Sequence, residues 1–377
     1  MAMIESEFTI RYQYRSYFTY DTFAVSNPLL ADLVRDLPCV LFFYEEELGK
    51  IFPALPDSIQ TYCRAHGLHC TGVIPLPGGE SCKEMSFVMK VCEELLQGKV
   101  CRQSCAAAIG GGAFLDAVGL GCALFHRGVR HIRIPTTALS QCDSGVGVKN
   151  GVNGFGRKNL LGTFAPPYAV ISDSRFLEQL PMRERLGAVA EAVKVAAIKD
   201  ADFFAGLERC AAPIVKGELD PLIRVIQRSA ELHMNHIATN GDPFEYGEAR
   251  PLDFGHWSAH RMETMSNAQI RHGEAVADGM RIDTMYAVLR GIAPRETADR
   301  LNALLDELHL PVHTEYLRQR AANGNRLILE GLEEFREHLG GVMHITLPQE
   351  IGSKIEVTEM DPDLLEKAIA ITAGELE

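Results

Sequence analysis

Histidines and carboxylates crowd two short stretches of this chain. Asp253-Phe254-Gly255-His256-Trp257-Ser258-Ala259-His260-Arg261-Met262-Glu263 is followed closely by Arg271-His272-Gly273-Glu274. One carboxylate with two or three imidazoles suits a zinc-like divalent ion and leaves coordination positions for a substrate's oxygens. On spacing alone, His256 and His260, four apart, form the favoured helical pair, and Glu263 is a rival carboxylate. Upstream, Arg185–Asp200 reads as a helix in which Glu191 and Lys194, three apart, project from one face. Helical histidines are more often structural than ligating, so spacing alone leaves the ligand set open.

Two other segments suit anions. The apolar run Cys105–Ile109 ends in Gly110-Gly111-Gly112, and the helical run Ala113–Phe125 follows. A strand, three glycines and a helix leave backbone N–H groups uncovered at a helix N-terminus, a seat for a pyrophosphate. The turn lacks the GxGxxG spacing of the ordinary dinucleotide fingerprint. Asp116, one turn into the helix, is placed to cap or to reach a cofactor ribose. The second segment runs from Pro135-Thr136-Thr137 through Asp143-Ser144-Gly145-Val146-Gly147-Val148-Lys149 to Arg157-Lys158-Asn159 and Gly162-Thr163-Phe164. It has no amphipathic period and reads either as a surface loop or as a substrate-phosphate loop. Lys149, Arg157 and Lys158 among glycines favour the second, because the backbone can then approach an anion closely.

The elements that must carry these groups change character along the chain. Val40–Tyr44, Gly72–Leu76, Ala106–Ile109, Ile132–Pro135 and Ala169–Asp173 look like buried strands. Helical patterns lie between several of them, such as Lys83–Leu96, with Met85, Val88, Met89, Cys92, Leu95 and Leu96 on one face. That rhythm predicts a parallel sheet with helices on its faces. Beyond Pro181 the runs Arg183–Phe204, Pro221–Ala238, His256–Met265, Glu274–Leu289 and Arg295–Leu308 are helical, with strand signal only at Met343–Thr346. The expectation is an α/β nucleotide-binding domain over 1–180 and a helical metal- and substrate-binding domain over 181–377.

Composition narrows the partners. A net charge of −13 over 377 residues argues against nucleic acid, while a few local cations can still bind a small anion. The ten cysteines lack CxxC pairing and read as reduced thiols of a cytoplasmic protein. The charged start, MAMIESEFTIRYQYRSYF, has no apolar core of a secretory signal, and no run reaches 18 apolar residues, so no membrane partner is expected.

Read in order, GGE–K (Glu80, Lys83), GGG–D (Gly110 to Asp116), HRG (Arg127), PTT, DSGVGVK, GVN, RKN, GTF, LP–RE (Leu180, Glu184), AE–K (Glu191, Lys194), DFGHWSAH and RHGEAVA resemble dehydroquinate synthase and its relatives, the sugar-phosphate cyclases. The match covers roughly residues 75–280 with order and spacing kept. DPFE and RPLDFGHW are similar to the dehydroquinate-synthase-like branch of bacterial Ebo clusters.

The resemblance implies a Rossmann-like N-terminal domain, a helical C-terminal domain, NAD, Zn2+ or Co2+, and a homodimer acting on a small sugar phosphate. It implies metal ligation by Glu191, His256 and His272, which moves His260 from ligand to neighbour of the substrate phosphate. NAD would be lined by Glu80, Lys83, Gly111, Gly112, Asp116, Thr136, Thr137, Asp143, Ser144, Lys158, Leu180 and Glu184. Substrate would meet Lys149, Lys158, Asn159, Lys194, Asp143, Asp253 and His260, with Arg127 supplied by a neighbouring subunit.

The sequence departs from dehydroquinate synthase where the family grips a substrate carboxylate. Asn235 stands at an expected Lys, Arg250 is displaced by one residue, and Asp253 replaces an expected Asn. Glu334-Phe335-Arg336-Glu337-His338 replaces a Lys-rich phosphate contact. These changes resemble branches that act on sedoheptulose 7-phosphate, which has no carboxylate. The rivals are 3-dehydroquinate synthase itself and an NAD-dependent polyol dehydrogenase.

Overall fold

The computed structural model of the chain describes residues 3–239, 244, 253–267, 269–338 and 343–376. Two compact units divide it. The first comprises 1–136 and 147–175, and the second 137–146 and 176–377. The division differs from a single cut near Leu180 in two places, because Ala138, Cys142 and Leu177 are all buried in the second unit's core.

The first unit alternates strands and helices as far as its fifth strand. Its strands are β1 (Arg15–Thr19), β2 (Val40–Glu45), β3 (Cys70–Leu76), β4 (Cys105–Gly110), β5 (Arg130–Pro135), β6 (Lys149–Gly154), β7 (Arg157–Phe164) and β8 (Ala169–Asp173). Six form a parallel sheet in the order β1-β8-β5-β4-β2-β3. β4 is buried throughout and β2 nearly so, as their continuous apolar runs require of strands covered on both faces. From β2 the chain steps outward to β3, then returns to the opposite side of β2 for β4 and β5. The winding therefore reverses between β2 and β4, the place where open α/β sheets form a ligand crevice at the strands' carboxyl ends.

Two expectations about this unit are corrected. The helix Met85–Gln97 buries Phe87, Val88, Val91 and Leu95, while Met85, Met89 and Leu96 are exposed at 38%, 55% and 67%. Gly121 decides the rotation: a Cβ there would meet Val91 Cγ1 at 2.7 Å, so Val91 packs into the notch. The supposed loop after Lys149 is the antiparallel hairpin β6–β7. Its turn, Phe155-Gly156, has φ of 52° and 76°, as a two-residue hairpin with positive φ demands. Buried Arg133 anchors its root, donating to Gly147 O (3.1 Å), Lys149 O (2.7 Å) and Asn150 Oδ1 (2.8 Å).

The second unit is mainly helical and, among the described residues, has one antiparallel strand pair, β9 (Ile345–Glu350) and β10 (Ser353–Val357). The run expected as one helix over Arg183–Phe204 is two, Met182–Lys199 and Ala201–Val215. They break at Asp200, whose carboxylate caps the second by accepting the Phe203 N–H at 2.9 Å. Helix Met182–Lys199 is buried continuously from Leu186 to Ile198. Helix His272–Leu289 packs on it and on helices His256–Met265, Arg295–Glu307 and Pro362–Thr372. No helix among the described residues is long and apolar enough to cross a membrane.

Candidate metal and nucleotide sites

In the second unit three helices deliver Glu191, His256 and His272 to one point. Close approach requires glycine at two contacts. A Cβ on Gly273 would lie 2.0 Å from Gly187 O, and one on Gly279 would lie 2.0 Å from Gly255 O. The first contact brings the start of helix His272–Leu289 against the helix of Glu191, and the second seats the start of helix His256–Met265. Gly255 itself has φ 78°, and its N–H is held by Asp283 Oδ2 at 2.9 Å while Trp257 Nε1 donates to Asp283 Oδ1 at 2.7 Å. Arg183 completes the frame: its Nε and Nη2 each reach a Glu274 oxygen at 2.6 Å, and Glu274 also accepts the Arg271 N–H at 2.9 Å, capping the helix of His272.

The donor set fits a zinc-like ion. One ligand atom from each of Glu191, His256 and His272 lies within 4.8 Å of the others. His272 Nε2 is 3.3 Å and His256 Nε2 4.0 Å from Glu191 Oε1. Two ligands about 2.1 Å from zinc at a tetrahedral angle sit roughly 3.4 Å apart. Both Glu191 oxygens are buried; Oε2 pairs with Lys194, while Oε1, which faces both histidines, accepts no well-formed hydrogen bond and keeps lone pairs for a cation. His256 Nδ1 lies 3.1 Å from Phe254 O, which can only accept, so Nδ1 holds the proton and Nε2 keeps its lone pair. His260 is exposed, with its ring centroid 5.5 Å from His256 and 6.0 Å from His272. A second trio, His260, Glu263 and His272, shares the last ring.

Electrostatics hold these groups ready. Burial would raise the Glu191 carboxyl, but Lys194 and His272 bring it down to about 2. Burial drives His256 well below its ordinary value, aided by Lys194, His272 and His260. His272, a quarter exposed, is raised to about 10 by Glu191 and Glu263 against the cost of desolvation, so an ion taking Nε2 displaces a proton. Lys194 pairs with Glu191. Burial alone would lower its ammonium, and Glu191, Asp143 and Asp253 reverse this and keep it charged. Asp143 lies in the turn Ser140–Ser144 and faces His233 at 2.7 Å, which with Lys194 holds its carboxyl at about 2 against the cost of burial.

Other residues of the second unit have local partners. Thr137 Oγ1 accepts the Ser140 N–H at 3.1 Å, opening the turn that ends at Ser144. Leu180 N–H closes a turn on Leu177 O (3.2 Å), and Glu184 pairs with Arg271 at 3.1 Å. Asn235 lies on helix Leu219–Thr239. Residues 240–243 and 245–252, which include Arg250, three of the four DPFE residues and the first three of RPLDFGHW, lie outside the described residues, as do the side chains of Glu337 and His338.

In the first unit the expected nucleotide residues gather at the switch between β2 and β4. Gly111 caps helix Gly112–Leu124, and its N–H reaches Glu45 Oε2 at 3.0 Å. Gly79 N–H reaches Glu45 Oε1 at 3.2 Å, and Thr136 N–H reaches Gly110 O at 3.0 Å. A Cβ on Gly110 would lie 2.6 Å from Phe114 and 2.9 Å from Glu45, so that glycine serves close packing. Lys83 and Asp116 form a largely shielded pair at 2.8 Å. Glu80 Oε1 accepts from Asn153 Nδ2 at 2.8 Å, and Asn153 Oδ1 accepts the Asn159 N–H at 2.9 Å. Lys149, Lys158 and Asn159 are exposed on the hairpin, and Arg127 sits in an exposed turn with φ 64°. Sequence reasoning did not single out Glu45, Asn153 or His233. Glu45 carried a usable signal, an acid ending a wholly apolar strand.

The 3-dehydroquinate synthase N-terminal model matches residues 73–186, and the C-terminal model matches 188–326. The chain belongs to the 3-dehydroquinate synthase family. It is 32% identical to 2-epi-5-epi-valiolone synthase of Streptomyces glaucescens, over 93% of this chain and 88% of that one. It is 37% identical to 3-dehydroquinate synthase of a Nitratiruptor species, over 74% and 77%. Its fold matches 2-epi-5-epi-valiolone synthase from Streptomyces hygroscopicus subsp. jinggangensis 5008, solved with NAD+ and Zn2+, at a TM-score of 0.86 and 27% identity, covering 98% and 99%. This member of the 3-dehydroquinate synthase family is thus a cyclase-type enzyme with a Rossmann-like N-terminal unit and a helical C-terminal one.

Proposed function

We propose that the enzyme converts a seven-carbon ketose phosphate of the sedoheptulose 7-phosphate type to a carbocycle, releasing inorganic phosphate. Glu191, His256 and His272 would hold zinc, with cobalt as a substitute. NAD would lie at the Gly110–Gly112 turn, beside the β2–β4 switch that supports its placement. When bound, NAD supplies a reversible hydride transfer and zinc polarises the oxygen of the alcohol concerned. Lys194, one helical turn from Glu191, orients that hydroxyl through a charged ammonium. Lys149 and Lys158 neutralise the leaving phosphate, Asn159 and His260 hydrogen-bond it, and Asp143 fixes the nicotinamide side. Arg127 is assigned to the neighbouring subunit's substrate in a homodimer.

The observation that carries the substrate choice is Asp253. Its charge already acts on Lys194, so that ammonium is shared among three carboxylates. An incoming carboxylate would be repelled there, whereas a neutral hydroxyl can donate to Asp253. The uncharged Asn235 forgoes a charge-assisted hydrogen bond worth about 1.5–3 kcal/mol. Near-full-length similarity to valiolone synthases supports the same reading. The alternative, 3-dehydroquinate synthase, is favoured by the 37% identity to such an enzyme. Comparing kcat/KM for sedoheptulose 7-phosphate and the dehydroquinate precursor by phosphate release decides: faster turnover of the precursor overturns the proposal. NADH accumulating one-for-one with product would point to a polyol dehydrogenase.

A further inference from the structure

Two metal-capable trios meet at His272, and its two ring nitrogens face different partners. Nε2 is 3.3 Å from Glu191 Oε1, and Nδ1 is 3.3 Å from Glu263 Oε2. Both carboxylates can only accept, so each nitrogen carries a proton in the ion-free protein; an ion shared with Glu191 and His256 displaces the one on Nε2 and leaves Nδ1–H held by Glu263. We propose that Glu263 is a positioning residue: it fixes the ring orientation and tautomer of His272 and is not itself a ligand. The proposal rests on the reading that Glu191, His256 and His272 hold the metal.

The helix His256–Met265 supports this division of labour. Glu263 follows His256 by two turns on one face, so a single rigid element supplies one ligand and the group that aims another. His256 is aimed by the Phe254 carbonyl, a neutral main-chain acceptor that no side-chain change can remove. His272 has no such carbonyl contact among those described; its Nδ1 partner is an anion, only 12% exposed and thus poorly screened. The negative charge makes the Nε2 lone pair the more basic of the two imidazole donors. For the His260–Glu263–His272 trio to bind an ion as well, His272 would have to lose both ring protons and bridge two cations.

The test uses full-length protein stripped with chelator, then titrated with Zn2+ against a chromogenic competitor, and separately with Co2+ for its visible spectrum. The wild type should bind one ion. Glu263→Ala should lower zinc affinity about 10–100-fold, while the stripped protein still unfolds in one cooperative transition. Glu263→Gln, whose carbonyl oxygen still accepts from Nδ1–H, should recover most of the loss and keep the wild-type Co2+ bands. Unchanged affinity in Glu263→Ala overturns the proposal. So does a Gln variant as weak as Ala with altered Co2+ bands, which would make Glu263 a ligand. Two ions in the wild type, one lost with Glu263, would assign the second trio a metal of its own. A wild type that binds no zinc overturns the metal reading beneath the proposal.

Discussion

His272 and His260 differ by what surrounds their nitrogens, and that difference is testable at single-residue resolution. His272→Ala removes the proposed ligand whose Nε2 faces Glu191, so bound zinc and phosphate release should vanish together. His260→Ala, an exposed ring beside the trio, should keep its zinc by elemental analysis while KM for the sugar phosphate rises. Zinc retained in the first variant and lost in the second would reverse the assignment. Asp143 makes a separate prediction. Its carboxyl is held at about 2, below its ordinary 3.8. The ionised form is therefore favoured in the fold. That stability is fully present above about pH 4 and drains away as pH falls toward 2. His233→Gln keeps a hydrogen-bond donor but removes the positive charge. With the Asp143 carboxyl less depressed, Tm at about pH 5 should be lower and its fall toward pH 2 smaller than in the wild type. An unmoved acid limb would mean that Lys194 alone sustains Asp143.

Among the elements, the Gly187–Gly273 contact matters most. Gly273→Ala forces a methyl into the Gly187 carbonyl, a clash typically costing about 1–3 kcal/mol. It pushes the start of the His272 helix off the Glu191 helix, so zinc affinity should fall further than with Gly291→Ala, a strained substitution (φ 75°) past the helix's other end. Sequence period and turn residues revealed five of the six sheet strands and the long helices, because buried parallel strands are continuous apolar runs. They missed β1, whose Arg-Ser-Tyr-Phe-Thr looks like surface, and the β6–β7 hairpin, where glycines mask the alternation of strands. On Met85–Gln97 the period found Val88 and Leu95 but wrongly added Met85, Met89 and Leu96 and missed Val91, since the notch at Gly121 that turns Val91 inward belongs to another helix. In the site, i,i+4 spacing favoured His256 with His260. Glu191, whose Oε1 lies 4.0 Å from His256 Nε2, comes from a different helix, a long-range neighbour that local spacing cannot reveal.

At the scale of the whole molecule, NAD should act as a recycled cofactor. With NAD far below substrate, phosphate release should continue for many turnovers without a rise in NADH absorbance. A stop at one equivalent would show consumption instead. The two units are not consecutive in the chain: 137–146 belongs with 176–377 although both of its neighbours belong to the first unit. During synthesis on a ribosome this short segment therefore emerges well before the helices whose core it completes through Ala138 and Cys142. It must wait, partly apolar and without its partners, until most of the polypeptide has been made. Cutting the gene after Arg175 should accordingly yield a C-terminal fragment with an unfilled core that is poorly soluble. Grafting 137–146 onto that fragment's start through a flexible linker should restore solubility. A circular permutant opened elsewhere, which keeps all three crossings, should fold where the severed halves do not.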